Sequence, residues 1–278
     1  MWVKLWFPEG SKWVILLVFL SILNAVSATV AEKDMQLTAN EKEALSQFKE
    51  KVDRFLNLDF MKTDFYLVRW LRAKNLNVPQ AETMLLQHLR WRHVNNIDTI
   101  LKEDWSDMET DYPYTMDTIN LELMPIGTVD IYEWDIRRAV LQGKTHRLLR
   151  YLYRLLEEIT GNIFEAQAKG QNVTRFVILG NADGFNVVQH ACPLCLPSWV
   201  QFVRTFEAQY PGFLDEIIVV EATSTVNVVI DLIRPIISPA TRNALKVFGQ
   251  NREKWMTYLD TKISRDQRRP QYGGTKSN

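Results

Sequence analysis

The chain has 278 residues, of which 46% are hydrophobic, so it can bury a core in one large domain or two small ones. Its basic and acidic residues both number 33, and a net charge of zero argues against nucleic-acid binding, which needs a basic excess. The only cysteines, Cys192 and Cys195, are too few for a disulfide-scaffolded secreted domain, so packing must supply the stability.

Residues 1–28 have the three-part pattern of a secretory signal. Two lysines precede or border an almost wholly apolar run at 13–23, and small residues up to Ala28 predict cleavage after that position. The alternative is a membrane anchor over residues 13–31, although the polar residues in that range make it marginal for a span of ~30 Å.

A secretory signal would determine where the protein is located and whether Asn172 can be glycosylated. The signal predicts a secreted or lumenal protein, whereas an anchor would tether it to a membrane and an unused segment would leave it in the cytoplasm. The triplet Asn172-Val173-Thr174 predicts glycosylation at Asn172, provided that the chain enters the secretory pathway.

Helical patterns dominate residues 29–104. Thr38 and Glu41 form a capping box that predicts the start of a helix. Asp64 is predicted to cap a second helix, and Asn77 a third that carries a proline in its first turn. A short fourth piece at 98–101 completes a small N-terminal helical bundle.

From about Trp105 the pattern becomes an alternation of helix and strand. Strands are predicted as a pair within 121–131, at 175–179, and at 216–222, where the run EIIVVEA is continuous and β-branched. Helices are predicted at 145–167, 193–209, 226–233 and 239–247, with a last one capped by Asn251. The sequence therefore predicts an α/β fold in which the helical bundle of 29–104 precedes an α/β domain over 105–275.

The usual signatures of catalysis and metal binding are missing from the sequence. It contains no glycine-rich phosphate loop, nucleophile elbow or His-Glu-x-x-His motif, and its four histidines are scattered. Glu157 and Glu158 are adjacent on a predicted helix, so they point apart and are expected to be solvated. We therefore expect neither an enzyme nor a metal site.

The pair Cys192-Pro193-Leu194-Cys195 is the one exception. A C-x-x-C pair at a helix start can activate a thiol, so a secreted thiol-disulfide oxidoreductase is an alternative function. The βαβ surroundings of a thioredoxin-like site are absent, however, which favours structural or disulfide-bonded cysteines.

Short patterns in the first half of the chain resemble one protein family. Residues 64–85, DFYLVRWLRAKNLNVPQAETML, are similar to the N-terminal segment of CRAL-TRIO (Sec14-like) proteins. The next helix ends near Trp91-Arg92, as the helix after that segment does in the family.

The second half carries further patterns of the same family in the same order. Tyr210-Pro211 comes just before a strand, residues 233–237 read Ile-Arg-Pro-Ile-Ile, Thr241-Arg242 opens the next helix, and residues 272–275 read Tyr-Gly-Gly-Thr. The resemblance covers about residues 40–275, and the order and spacing of the motifs make it specific.

The resemblance implies a lipid-binding domain with a mixed β-sheet and a movable apolar gate helix, which maps onto 226–237. Independently of the resemblance, a segment that is apolar on almost every side must be buried or must contact a lipid or a membrane. The residues predicted to contact the lipid are Ile178, Phe185, Phe202, Phe206, Val220, Val226, Val229, Ile230, Ile233 and Ile237. Arg234 and Arg242 are predicted to dock on a membrane surface, with the basic helix carrying Arg90 and Arg92 as the alternative.

The predicted function is to bind a single hydrophobic lipid in an enclosed pocket and to transfer or present it between membranes. No cofactor is expected besides the bound lipid, and a lipid-responsive regulatory adaptor without net transfer is the alternative. Gly212 and Ala244 stand where members that bind phosphatidylinositol carry an acid and a base. This difference disfavours phosphatidylinositol and favours a sterol, a tocopherol- or retinoid-like molecule, or another phospholipid.

Overall fold

A computed structural model describes residues 28–277. The predicted signal at 1–28 and the alternative anchor at 13–31 fall almost entirely outside the described residues and stay predictions. Among the described helices, none combines the length and the apolar character that crossing a bilayer requires.

Helices occupy the first part of the described chain. They are α1 (Val30–Met35), α2 (Ala39–Val52), α3 (Asp64–Ala73), α4 (Val78–Val94) and α5 (Ser106–Glu109), with 3₁₀ turns at 53–55, 59–62 and 97–102. α2, α3 and α4 pack on one another around a shared cluster that includes Phe48, Trp70 and Leu85. The predicted boundary at 104/105 falls between the last 3₁₀ turn and α5, and the division into two domains stays a prediction.

The helix caps follow the predictions with one correction. The capping box of α2 is confirmed, since the Thr38 amide donates to Glu41 Oε2 at 2.8 Å and the Glu41 amide to Thr38 Oγ1 at 3.2 Å. Asn77 caps α4 as predicted. The prediction that Asp64 caps α3 was wrong, because Thr63 accepts the Tyr66 amide and the Asp64 carboxylate pairs with a lysine of α2 instead.

A five-stranded mixed sheet forms the centre of the second part. Its strands, in both chain and spatial order, are β1 (Thr115–Ile119), β2 (Pro125–Asp130), β3 (Phe176–Asn181), β4 (Leu214–Val220) and β5 (Leu245–Val247). β1 runs antiparallel to β2, and the other neighbours are parallel. The predicted α/β class with a mixed sheet is confirmed.

One strand prediction and one helix prediction were wrong in their bounds. The hairpin begins at Thr115 instead of within 121–131, because Asn120 Oδ1 accepts the amides of Glu122 and Met124 and makes a turn there. The predicted helix at 239–247 stops at Ala244, because residues 245–247 pair with β4 as a fifth strand. Such pairing depends on a distant part of the chain, which a local pattern does not record.

The remaining helices cover the two faces of the sheet. They are α6 (Ile136–Leu141), α7 (Thr145–Ala168), α8 (Leu196–Gln209), α9 (Val226–Ile233), α10 (Pro239–Ala244) and α11 (Arg252–Asp260). α11 packs on one face through Trp255 and Leu259, while α7, α8 and α9 lie over the other. The predicted helix at 193–209 starts at Leu196, because a disulfide-bonded turn occupies the residues before it.

A buried ion pair joins the N-terminal helices to α7. The Arg92 guanidinium, which is only 7% exposed, donates to both Glu157 oxygens at 2.9 Å and also to Asp98. The Tyr210 hydroxyl donates to Glu157 at 2.8 Å, and burial raises the pKa of Tyr210 well above its ordinary value. The expectation of a solvated Glu157 was therefore wrong, and Arg92 is not available to dock on a membrane.

Candidate lipid-binding site

An apolar cavity of about 270 Å³ lies between the sheet and the helices above it. The floor comes from alternate residues of β2, β3 and β4, such as Val129, Ile178 and Val219. The walls come from α7 and α8, and α9 with the turn that follows it lines the remaining side. Residues at every second strand position face the same side, which is why one face of a continuous apolar strand can line a cavity.

Most of the predicted contact residues line this cavity. Nine of the ten do so, namely Ile178, Phe185, Phe202, Phe206, Val226, Val229, Ile230, Ile233 and Ile237. The tenth, Val220, is fully buried on the opposite face of the sheet with Trp255 and Leu259. That placement was wrong because neighbouring strand residues point to opposite faces, and Val219 is the one that faces the cavity.

The sequence analysis did not assign the α7 side of the cavity. Five leucines of this helix line the wall: Leu148, Leu149, Leu152, Leu155 and Leu156. Leucines at this helical spacing indicate a buried stripe, but a stripe that faces a cavity has the same pattern as one that faces a packed core. Trp199 of α8 and Ile217 of β4 were missed for the same reason.

The gate segment, residues 226–237, is less uniformly apolar in the structure than its sequence indicated. Val226, Val229 and Ile237 are buried towards the cavity, whereas Val228 is 43% exposed. Asn227, Asp231 and Arg234 also lie on the outer side. The segment is therefore amphipathic, with its apolar side on the cavity and a mixed side outside.

The two arginines predicted to dock on a membrane are both exposed beside the gate segment. Arg234 pairs with the exposed Asp231 at 3.2 Å, and its carbonyl accepts from the Arg242 guanidinium at 3.1 Å. Exposed pairs of this kind contribute little to stability, so both side chains can exchange partners. Their role in docking stays a prediction.

The part of the cavity wall that residues 28–277 form carries no ionisable side chain. Among its described residues, Ser198 and Thr241 carry hydroxyl groups, and the indole N–H groups of Trp134 and Trp199 donate to backbone carbonyls. The buried Ser198 hydroxyl has no hydrogen-bond partner among the described residues. A charged group taken into such surroundings would lose its hydration without a partner to replace it. The wall is therefore suited to hydrocarbon with at most one neutral polar group.

Gly212 and Ala244, which replace the acid and the base of members that bind phosphatidylinositol, lie in tightly packed surroundings. Gly212 has a φ of +73°, and a Cβ there would lie 3.3 Å from the Arg69 side chain. The Arg69 guanidinium stacks on Phe213 at 3.3 Å and donates to the Pro211 carbonyl at 2.9 Å. Ala244 is buried. No acid–base pair for an inositol phosphate is available at these positions.

Cys192 and Cys195 form a disulfide immediately before α8. Cys195 is completely buried and Cys192 is 7% exposed. Thiol–disulfide exchange requires access to a sulfur, so this burial disfavours the oxidoreductase alternative. Within residues 28–277, no cluster of three or more histidine, cysteine, aspartate or glutamate side chains could hold a metal ion.

The predicted glycosylation site lies in the turn between α7 and β3. Asn172 is exposed, whereas the Thr174 hydroxyl is buried and donates to Asp34 Oδ2 at 2.8 Å. The asparagine is therefore accessible, and its glycosylation stays a prediction.

Comparison with known proteins gives consistent matches. Residues 122–274 match the CRAL/TRIO domain. The chain is 23% identical over 218 residues to "Protein real-time" of Aedes aegypti, covering 77% of this chain and 33% of that protein. It is also 23% identical over 193 residues to a CRAL-TRIO domain-containing protein of Caenorhabditis elegans, covering 68% of this chain and 27% of that protein.

A solved structure shows the same fold. The crystal structure of Sfh5 superposes with a TM-score of 0.69 at 15% identity, covering 88% of this chain and 91% of the other. The chain spans about a third of the length of the curated relatives named above. The superposition confirms the Sec14-like fold, and the domain match supports lipid binding at a general level.

Proposed function

Because the chain belongs to the CRAL/TRIO domain family, we propose that its cavity encloses a single hydrophobic lipid, which the protein transfers or presents between membranes. The observation that carries this proposal is the cavity wall, which combines a sheet floor, two helical walls and the gate segment without one ionisable side chain. A well-packed interior rarely contains a void larger than a water molecule, so an apolar cavity of this size favours a ligand site.

The energetics explain why such a cavity is useful. Exposing one methylene to water costs ~0.8 kcal/mol, so a tail of about 16 carbons costs on the order of 13 kcal/mol. Spontaneous transfer of a lipid through water is correspondingly slow. A cavity that replaces the apolar contacts of the bilayer removes most of this cost, and the gate segment supplies the route in and out.

The composition of the cavity favours a neutral lipid. Its volume of about 270 Å³ lies just below the ~300–1,000 Å³ that small-molecule sites occupy. A compact sterol, tocopherol- or retinoid-like molecule fits these properties better than a two-chain phospholipid. The unpartnered Ser198 hydroxyl could bond one hydroxyl or carbonyl group of such a ligand. Phosphatidylinositol is disfavoured, because no charge pair receives its headgroup.

The test is mass spectrometry of the lipids that co-purify with the chain from a eukaryotic cell. We expect one neutral lipid for each protein chain. Ile233→Asp places a carboxylate in the cavity wall and should abolish loading, whereas Val94→Asp, at an exposed valine of α4 away from the cavity, should leave loading unchanged. A wild-type protein that is empty, and that takes up no lipid from vesicles, would overturn the proposal.

Transfer and sensing are separated by a second measurement. A carrier moves a fluorescent lipid from donor to acceptor vesicles, whereas a lipid-responsive adaptor binds the lipid without net transfer. The proposal assigns the chain no catalytic chemistry, which is supported by the absence of ionisable groups from the cavity wall. Insulin reduction that depends on Cys192 would contradict this part of it.

We also propose that the protein is secreted or lumenal. The disulfide supports this, because such bonds persist in oxidising compartments. Sequencing the N-terminus of protein made in a eukaryotic cell tests the proposal directly. A start at Thr29 would support it, and an intact Met1 would favour the anchored or cytoplasmic alternative.

A further inference from the structure

The segment between β3 and α8 exposes apolar side chains beside the gate segment. We call residues 183–195 the disulfide loop. Within it, Val187, Val188 and Leu194 are 45%, 63% and 61% exposed. Single exposed apolar residues are common, but three within eight residues of one loop make a local apolar surface. The loop carries one acidic residue, Asp183, at its first position and no lysine or arginine.

Contacts with the gate segment and the disulfide fix the two ends of this loop, and they leave the apolar side chains between them exposed. Phe185 and Ala191 are buried against Val226 and Val229 of the gate segment, and the Thr223 hydroxyl donates to the Phe185 carbonyl at 3.4 Å. The disulfide fixes both cysteines in the core, which leaves Pro193 and Leu194 to project from the ring that it closes. Because Leu194 lies between the two bonded cysteines, the backbone cannot turn its side chain into the core.

The loop and the gate segment form neighbouring parts of one surface. Leu232 of the gate segment and Pro193 of the loop line the same surface groove, together with Arg204 of α8. Val228 is exposed on the outer side of the gate segment, so both elements present apolar side chains to solvent. The surface lies directly over the cavity, because Val226, Val229 and Phe185 line it from the inside.

The cations around this surface fit an anionic layer. Arg137, Arg204 and Arg242 have no carboxylate partner among the described residues, and all three are exposed. The Arg137 amide donates to the Gln189 carbonyl at 2.8 Å, which places that residue beside the loop. Apolar side chains that are flanked by arginines without a carboxylate partner are suited to the interface of a bilayer that contains anionic lipids.

We propose that the disulfide loop inserts Val187, Val188 and Leu194 into a lipid bilayer and forms, with the gate segment, the docking surface through which the cavity is loaded. The proposal rests on the proposed function, since docking serves a cavity that exchanges lipid. Because the disulfide holds the loop in its exposed shape, little conformational freedom is lost when the loop inserts. Insertion beside the gate segment would give the cavity a direct route to the acyl region.

The test compares two double variants by co-sedimentation with phosphatidylcholine vesicles that contain about one-fifth phosphatidylserine. V187S/V188S removes the apolar tips of the loop, and we expect about 10-fold weaker vesicle binding from the lost burial. The matched control, V94S/L101S, removes two apolar residues of the N-terminal helices that are at least half exposed, and it should bind as the wild type does. Equal binding by both variants would overturn the proposal.

Loading without a bilayer separates this proposal from the proposed function. When a fluorescent lipid is delivered from ethanol, V187S/V188S should load as well as the wild type, and only its rate of vesicle-to-vesicle transfer should fall. If the wild type does not load, the proposed function fails. If it loads and V187S/V188S transfers at the wild-type rate, only the docking proposal fails. Arg204→Gln should weaken binding to the anionic vesicles and leave binding to pure phosphatidylcholine vesicles unchanged.

Discussion

The two faces of the central sheet are built from the same strands but differ in how they are filled. Val177, Leu179 and Ile218 pack on Trp255 and its neighbours in a continuous cluster. The residues between them, such as Ile178 and Val219, face the cavity. One face of the sheet is therefore covered by closely packed side chains, and the other forms the floor of the cavity. The comparison teaches that a uniformly apolar strand can serve stability on one side and ligand binding on the other.

Two tryptophans give the largest contrast between the faces. Trp255→Ala on the packed face should lower the free energy of unfolding by about 3–5 kcal/mol, because it leaves a void in a fully buried cluster. Trp199→Ala on the cavity side should cost less, since part of that side chain already borders empty space. Urea unfolding of both variants checks the order, and a larger loss for Trp199→Ala would contradict the comparison.

Acid should destabilise the fold and leave the cavity unaffected. Burial, with Arg92 nearby, lowers the pKa of His88 to about 3, so the folded state keeps this residue neutral. The unfolded chain binds a proton near pH 6.5, so stability is lost as the pH falls below that value, by about 2 kcal/mol at pH 5. Lipid affinity should stay constant over the same range, because no titratable side chain lines the cavity.

The acid prediction is checked by unfolding at pH 7 and pH 5, with His88→Phe as the control. The variant should lose less stability between the two pH values than the wild type does. A lipid affinity that changes with pH while the protein stays folded would show that an ionisable group does reach the ligand.

Adjacent valines of β4 test the comparison within one strand. Val220→Ala on the packed face should cost about 1–2 kcal/mol of unfolding free energy with unchanged lipid binding. Val219→Ala on the cavity side should cost less than about 1 kcal/mol and change the lipid affinity or selectivity. Thermal unfolding and a lipid titration on the same samples give both quantities. Identical behaviour of the two variants would remove the distinction between the faces.

Filling the cavity should reduce binding while the stability is kept. A Cβ added to Gly180 has no protein atom closer than 3.8 Å, so Gly180→Val can extend a side chain into the cavity without a clash at its base. Replacing a strand glycine by a β-branched residue should change the unfolding free energy by no more than about 1 kcal/mol, in the stabilising direction. Loading measured by mass spectrometry should fall sharply, and full occupancy would show that the lipid lies elsewhere.

Local pattern was enough to predict the elements that carry their own signal. The capping box at Thr38, the strand at 216–222 and the helix at 226–233 depend on neighbouring residues, and the structure has each within two residues of the prediction. The family motifs, read together, then placed the gate segment over the cavity. Nine of the ten predicted residues line the cavity, but the larger share of its wall, including all of the α7 side, was not predicted.

What could not be predicted depends on partners far away in the chain. Glu157 was expected in solvent, but Arg92, 65 residues earlier, pairs with it in the interior. Val220 was placed at the cavity, because periodicity identifies two faces of a strand without saying which one is filled. Residues 245–247 form a strand only because β4 offers its edge. In each case the deciding contact joins segments that no local window contains.

The gate segment belongs to a crossover that leaves the sheet after β4 and returns at β5. Both ends are secured, since the Ala222 amide donates to the Phe248 carbonyl at 2.9 Å and the Phe248 amide to the Val219 carbonyl at 2.8 Å. Leu245 pairs with Ile217, so the two strand ends lie only about 11 Å apart, whereas the residues between them could reach ~80 Å when extended. The crossover is therefore much longer than the distance between the two strand ends that it connects. If the gate segment opens without breaking the sheet, the amides of β4 and β5 should exchange with solvent long after those of residues 226–237.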